Sequence, residues 1–321
     1  MPLKGRRLSK SKLGGILGCV IAVIAMTVAA GCQRGEILIL NPYQFEDNRY
    51  KVQLHAHTTN SDGVDNSTAL VATYRDNGYD ALAITDHDYL TLDPGVSGIL
   101  HIPGVEETAP PGHIVNLFAT EQTTAEDPQE VIDDILLDGG LVDMAHYWRS
   151  TNYFTVDMLQ HLTGYQLIEI ANGGSGANGT AWDVLLTEEM TVWAIGVDDC
   201  HDITSARFNR YFVEIMADEL SVSALEESLR QGNFYVRETG APQITVGVSN
   251  TTVICNSSTP MNAQFIGNNG IVLKTESGVT QSTYAMQGWE QYVRIEVADN
   301  ATATYYAWSQ PVCILGYPSQ R

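Results

Sequence analysis

From about residue 50 to residue 240, short apolar runs alternate with longer amphipathic stretches. The apolar runs are KVQLHA, ALAIT, IPGVE, HIVNLFA, LVDMA, LIEIA, VWAIGV and RYFVEIMA, each of strand length and bounded by polar or turn residues. Between them the pattern predicts helices over 67–77, 127–137, 155–162, 180–189 and 221–230. Asn66 or Ser67 caps the first, Gly78 stops it, and Asp127 followed by Pro128 opens the second. Strand and helix in repeated alternation predict a parallel sheet, and at this length its closed form is an irregular (β/α) barrel. After residue 240 the rhythm stops. The runs QITVGVS, TTVICN, AQFIGN, GIVLKTE, TYAMQG, QYVRIEVAD and TYYAWSQPVCIL, separated by Gly, Asn and Ser, predict a small β-sandwich-like domain over 241–321. Its Trp289, Tyr292, Tyr305 and Trp308 are expected in its core, with a sugar-binding platform as the alternative.

In a parallel barrel the reactive side chains stand where strands end. Here the first strand ends in His55 and His57, which a period of two places on one side, with Asp62 just beyond. The next ends in Asp86-His87-Asp88, the third in Glu106. LVDMA is followed by His146, LIEIA by Asn172, and VWAIGV by Asp198-Asp199-Cys200-His201. With His113, six of the eight histidines belong to this set, and only His101 and His161 do not. His113 is the exception in placement, because it begins its strand; it is expected to reach the mouth from a loop. Imidazole and carboxylate without thiolate suit zinc, manganese or iron in an open site rather than a closed structural zinc site. The chain carries no GxSxG elbow, no Walker-type loop and no CxxC.

The stretches LHAHTTNSDG, AITDHD, GVE, GHIVNLF, GGLVDMAH and GVDDCH, in this order over about residues 50–240, resemble the PHP (polymerase and histidinol phosphatase) family of metal-dependent phosphoesterases. The resemblance implies a distorted, TIM-like (β/α)7 barrel holding two or three divalent ions of zinc, manganese or iron. It implies as ligands His55, His57, Asp62, His87, Glu106, His113, His146, Asp199 and His201. Glu106 is then expected to bridge two ions, with His55, His57 and Asp199 on one and His113 and His146 on the other. Asp62, His87 and His201 are expected to hold a third. Asp199, His201 and Arg149 are the side chains expected to carry the reaction. Asp86 is expected to orient a ligand from behind. Where the family often has His-Pro, this chain has His146-Tyr147, followed by Arg149. Arg149 is the first candidate for gripping a phosphate and Arg207 the second, while Tyr147 and Trp148 are candidates to stack on a base or sugar.

The N-terminus changes the setting. Lys4, Arg6, Arg7, Lys10 and Lys12 precede an apolar run ending in Val28-Ala29-Ala30-Gly31-Cys32, the form of an export signal over 1–31. Small residues before Cys32 resemble a lipobox without its usual leucine, so lipidation of Cys32 is expected, with an uncleaved anchor as the alternative. A linker over 32–49 then leads to the barrel at 50–240. Removing 1–31 leaves 12 basic against 38 acidic residues, a formal net charge of −26, a surface that repels long nucleic acid. Beyond Cys19 and Cys32, three cysteines remain, of which Cys255 and Cys313 are candidates to pair in an oxidising compartment. The sequence therefore predicts an exported, membrane-anchored phosphoesterase acting on small nucleotide or sugar phosphates. A metal-binding lipoprotein without turnover and a metal-dependent hydrolase of C–N or carboxylic-ester bonds are the alternatives.

Overall fold

A computed structural model describes residues 39–43, 48–149 and 153–314. The predicted export segment over 1–31 and Cys32 lie outside these residues. The first part of the chain runs β1 (Ile39–Leu40), β2 (Asn48–Gln53), α1 (Ser67–Asp76), β3 (Ala81–Ile84), β4 (Leu100–Ala109), β5 (Gly112–Leu117), α2 (Pro128–Leu137) and β6 (Leu141–Met144). It continues through α3 (Val156–His161), β7 (Leu167–Asn172), β8 (Gly176–Ala177), α4 (Thr180–Thr187), β9 (Trp193–Val197), β10 (Tyr211–Ala217), α5 (Val222–Gln231) and β11 (Phe234–Glu238). The helices start at the expected caps: Asn66 accepts from Ala69 N, Asp127 from Gln129 N and Glu130 N ahead of Pro128, and Ser221 from Ala224 N. Gly232, at φ 77°, closes α5 in the left-handed conformation that favours glycine.

β2, β3 and β4 are parallel neighbours, as are β6, β7 and β9. Between the two sets, β5 runs antiparallel to both β4 and β6. The ends of β9 and β2 meet through a parallel bridge, Ala56 with Cys200, where His57 N donates to Cys200 O (2.9 Å) and Asp199 N to His55 O (3.1 Å). Seven strands thus follow one another until the last meets the first. β10, expected in the parallel series, instead runs antiparallel to β2 and to β11. Apolar residues from these strands, including Val52, Leu54, Ala83 and Ile195, pack in one core cluster with Leu225 and Leu229 of α5.

The tail comprises β12 (Ile244–Ser249), β13 (Thr252–Gly267), β14 (Ile271–Ala285), β15 (Tyr292–Asp299), β16 (Tyr306–Ser309) and β17 (Val312–Ile314). It has fewer and longer strands than the turn residues imply, because the polar stretch after Asn256 is a register shift within β13 and not a break. β16 pairs with β11 and β17 with β1, so the tail continues the sheet of the α/β part. Tyr292 and Trp308 are buried and Trp289 and Tyr305 exposed, which splits the four aromatics between core and surface. Cys255 and Cys313 are free and buried: Cys255 faces Val246 and Ser282 across β13, whereas Cys313 faces Leu40 and Tyr292. Among the described residues no helix is long and apolar enough to cross a membrane.

One ion pair ties the tail to the α/β part. Arg294 of β15 donates from Nε and Nη2 to the two oxygens of Asp183 on α4 (2.7 and 2.8 Å), and its guanidinium lies over Trp182. Tyr292 donates to Asp183 as well, at 2.7 Å. Breaking a buried pair by removing one partner strands the other charge. Arg294→Met is therefore expected to lower stability by about 3–5 kcal/mol, read from urea unfolding; a loss near that of an exposed pair would show that Asp183 rehydrates.

Candidate metal centre

The reversal of β5 explains the placement of His113. Because β5 runs against its neighbours, its first residues lie at the end where the other strands finish, and Thr108 and His113 face each other across the β4–β5 hairpin. His113 thus comes from a strand start and not from an overarching loop. The isolated bridge between His87 and Glu106 brings the end of β3 beside β4. Gln53, buried beneath the first histidines, accepts from Leu54 N, His55 N and Asp198 N and so fixes the turn out of β2.

All nine expected ligands converge. Glu106 is buried in their midst with its oxygens turned to different partners. Oε1 faces His113 Nδ1 at 2.8 Å and His146 Nε2 at 2.9 Å. Oε2 faces His55 Nε2 at 3.0 Å, His57 Nε2 at 3.1 Å and His87 Nδ1 at 3.4 Å. Asp199 Oδ1 lies 3.3 Å from His57 Nε2, 3.5 Å from His201 Nδ1 and 3.7 Å from His55 Nε2. At the rim, Asp62 Oδ2 lies 3.1 Å from His201 Nε2 and 3.8 Å from His87 Nε2, and its side chain is 54% exposed. Among the described residues, three groupings are close enough to share an ion: His55, His57 and Glu106; His87, Glu106 and His113; and His57, Asp62, His87 and His201.

The donor set fits divalent cations better than it fits itself. His55 Nε2 and His57 Nε2 stand only 3.1 Å apart, both aimed at the same carboxylate oxygens. Asp199 Oδ1 is buried yet accepts no well-aligned hydrogen bond. Ring nitrogens and carboxylate oxygens crowded around one point, with a buried oxygen left over, are what a cation satisfies once the rings give up their protons. Electrostatics agrees. Burial alone would lower His57 and raise Glu106 and Asp199, but the groups overrule it together: carboxylates hold His57 up at about 9 and His55 well above its ordinary value, and both acids are pushed down. Asp88, His146 and Asp199 have φ of 48°, 27° and 48°, non-glycine backbone in a costly region of the kind that gathers at functional sites.

No family model matches the chain, and no curated protein matches it. Among solved structures, a two-domain protein from Bacteroides vulgatus ATCC 8482, described as containing a predicted PHP-like metal-dependent phosphoesterase, superposes with a TM-score of 0.52. The two chains share a fold. Identity is 20%, and the match covers 83% of this chain and 95% of that one. The lesion-specific endonuclease PfuEndoQ from Pyrococcus furiosus gives a TM-score of 0.43 at 13% identity, covering 57% of this chain and 56% of that chain, too low a likeness to argue from.

Around the centre, Asp86 accepts from Thr58 N and Oγ1, Ser61 Oγ and Thr91 Oγ1, so it braces the loop that carries Asp62 and not a ligand ring directly. Gly63 lets that loop return: a Cβ there would stand 2.7 Å from the His57 carbonyl. Arg149 and Arg207 each bring Nη1 to 3.4 Å from Asp199 Oδ2, with side chains about one-third exposed at 30% and 33%. Gly174 makes room for the second, since a Cβ there would stand 2.7 Å from Arg207 Cζ. Tyr147 is buried and donates to Asn178 O, a structural role, while the half-buried Trp148 donates to Ser175 O. His101 and His161 stand outside every one of these groupings.

Sequence reasoning passed over two buried acids. Glu169, in the middle of β7, reaches His55 Nδ1 at 2.7 Å. Asp143 of β6 is buried with neither oxygen partnered, and burial together with the negative charge of Glu169 pushes it well above the usual carboxylate range. The signal for both was a single acid inside an otherwise apolar run, LVDMA and LIEIA.

Proposed function

We propose that the chain is a metal-dependent phosphoesterase hydrolysing small phosphate esters, built on a distorted seven-stranded (β/α) barrel of PHP type with a β-sandwich-like tail. The ring of strands closed between β2 and β9, and the fold shared with the Bacteroides protein, support the barrel. The observation that carries the function is the convergence of five histidine nitrogens on the two oxygens of one buried glutamate. His55, His57 and Asp199 would hold one divalent ion, His113 and His146 a second, with Glu106 between them; Asp62, His87 and His201 would hold a third. When bound, such ions supply Lewis acidity, which makes water acidic enough to attack near neutral pH and offsets charge on phosphoryl oxygens.

The protein's own residues supply binding and orientation. Arg149 and Arg207 meet at Asp199 Oδ2, and a phosphoryl group entering there takes two guanidiniums as partners. Their flat donor forks match the oxygens of a phosphoryl group, which supports a phosphate ester as substrate. Burial and His57 pull His201 below its ordinary value, which favours the neutral ring that a metal ligand requires. The basic, apolar N-terminus supports export and anchoring through Cys32, and with them an activity outside the cytoplasm.

The test is a panel of nucleotide and sugar phosphates, phosphodiesters, amides and carboxylic esters, run on the mature protein with manganese or zinc. Phosphate release is expected, and Arg149→Met should raise KM for phosphate esters more than it lowers kcat. Turnover confined to amides or carboxylic esters, or metal uptake with no turnover on any member, would sink the proposal.

A further inference from the structure

The geometry points to Glu169 as a positioning residue that ties the His55 and His146 halves of the centre together, so that its loss weakens both at once. This rests on the reading of those histidines as ligands of two separate ions. Glu169 is fully buried in β7, and each of its oxygens serves a different half. Oε1 takes His55 Nδ1 at 2.7 Å. Since a carboxylate oxygen accepts, this contact fixes a proton on Nδ1 and leaves Nε2 turned toward Glu106 and His57. Oε2 accepts from the backbone N of His146 at 2.8 Å, at the residue whose φ of 27° sets the direction of its ring. The same oxygen accepts from Asn172 Nδ2 at 2.9 Å, and Asn172 Oδ1 accepts from Gly174 N, beneath Arg207.

A glutamine at this position keeps the shape but offers one acceptor oxygen. Its NH2 then faces either the His55 Nδ1 proton or the His146 and Asn172 donors, so one hold becomes a clash of donors, and the tilt that relieves the clash strains the other hold as well. Because both anchor through one rigid planar group, tilting it to save one contact moves the other. Outer partners of metal ligands are worth about 10- to 100-fold in affinity, and here that factor applies to two ions.

The test compares wild type with Glu169→Gln and, as a single-half reference, His113→Ala, by chelator-competition titration with zinc alone and elemental analysis. Wild type should hold at least two ions, His113→Ala should weaken one binding step, and Glu169→Gln should weaken two steps by about 10- to 100-fold each. An unchanged zinc titration in Glu169→Gln, or weakening of one step only, overturns the inference while leaving the phosphoesterase reading intact. A wild type that binds no metal overturns both. Should Glu169→Gln fail to fold, nitrogen-resolved proton NMR of zinc-loaded wild type decides: a slowly exchanging, low-field Nδ1 proton on His55 is expected, and its absence removes Glu169 from the role.

Discussion

Asparagine in place of Asp199 is expected to abolish the proposed phosphate-ester hydrolysis, with a loss exceeding the about 10- to 100-fold that an outer partner costs. The two oxygens of Asp199 do different things. Oδ1 is buried, close to three imidazole nitrogens and without an aligned donor, the state of an oxygen waiting for a cation. Oδ2 receives Arg149 and Arg207. An amide cannot serve both: its NH2 faces either two guanidiniums, where donors meet donors, or the ion position, where it has no lone pair to offer a cation. The variant should lose ion binding at the His55–His57 position and arginine placement together. The measurement is turnover at saturating manganese beside metal content by elemental analysis; wild-type turnover in the variant would remove Asp199 from the centre.

The second large effect is on pH. In the metal-free protein the neighbouring carboxylates hold His57 up at about 9 and His55 well above its ordinary value, which favours the protonated form of both. A metal ligand must be deprotonated, hence ion binding expels protons. Apparent affinity should rise with pH by about tenfold per unit for each proton expelled, until the pH passes about 9 for His57. Metal-free stability moves the other way. A histidine with a raised folded value contributes stability that is complete below its unfolded value near 6.5 and is lost as pH climbs through about 9. Metal-free and zinc-loaded melting temperatures should therefore diverge between pH 6.5 and 9, with the loaded protein gaining on the free one. Curves that run parallel across this window would show that the histidines bind the ion without giving up protons.

Much of the centre was legible because a parallel strand advertises its reactive end: the residues after KVQLHA, ALAIT, LVDMA and VWAIGV are the ones found together. Glu169 was hidden for the opposite reason. It lies inside its strand, and only the burial of the ring interior shows that an acid there needs partners. β11 escaped notice because FYVRE follows α5 after a two-residue turn and finds its partners in β10 and, some seventy residues later, β16. The tail strands misled through their polar residues, since SSTP in β13 marks a bulge as easily as a turn. Long-range pairing decides such cases, and local composition carries no record of it.

His113 and Glu106 bear on how direction is written into a chain. A ligand at the end of a run and a ligand at the beginning of the next meet at one mouth only when the second strand points the other way. The order of reactive and apolar residues within a run is thus a compass for that run. Applied to other ring-like sheets, a histidine that leads its strand marks the strand as reversed before any pairing is known, and marks the loop before it as a short hairpin with no room for a crossover helix.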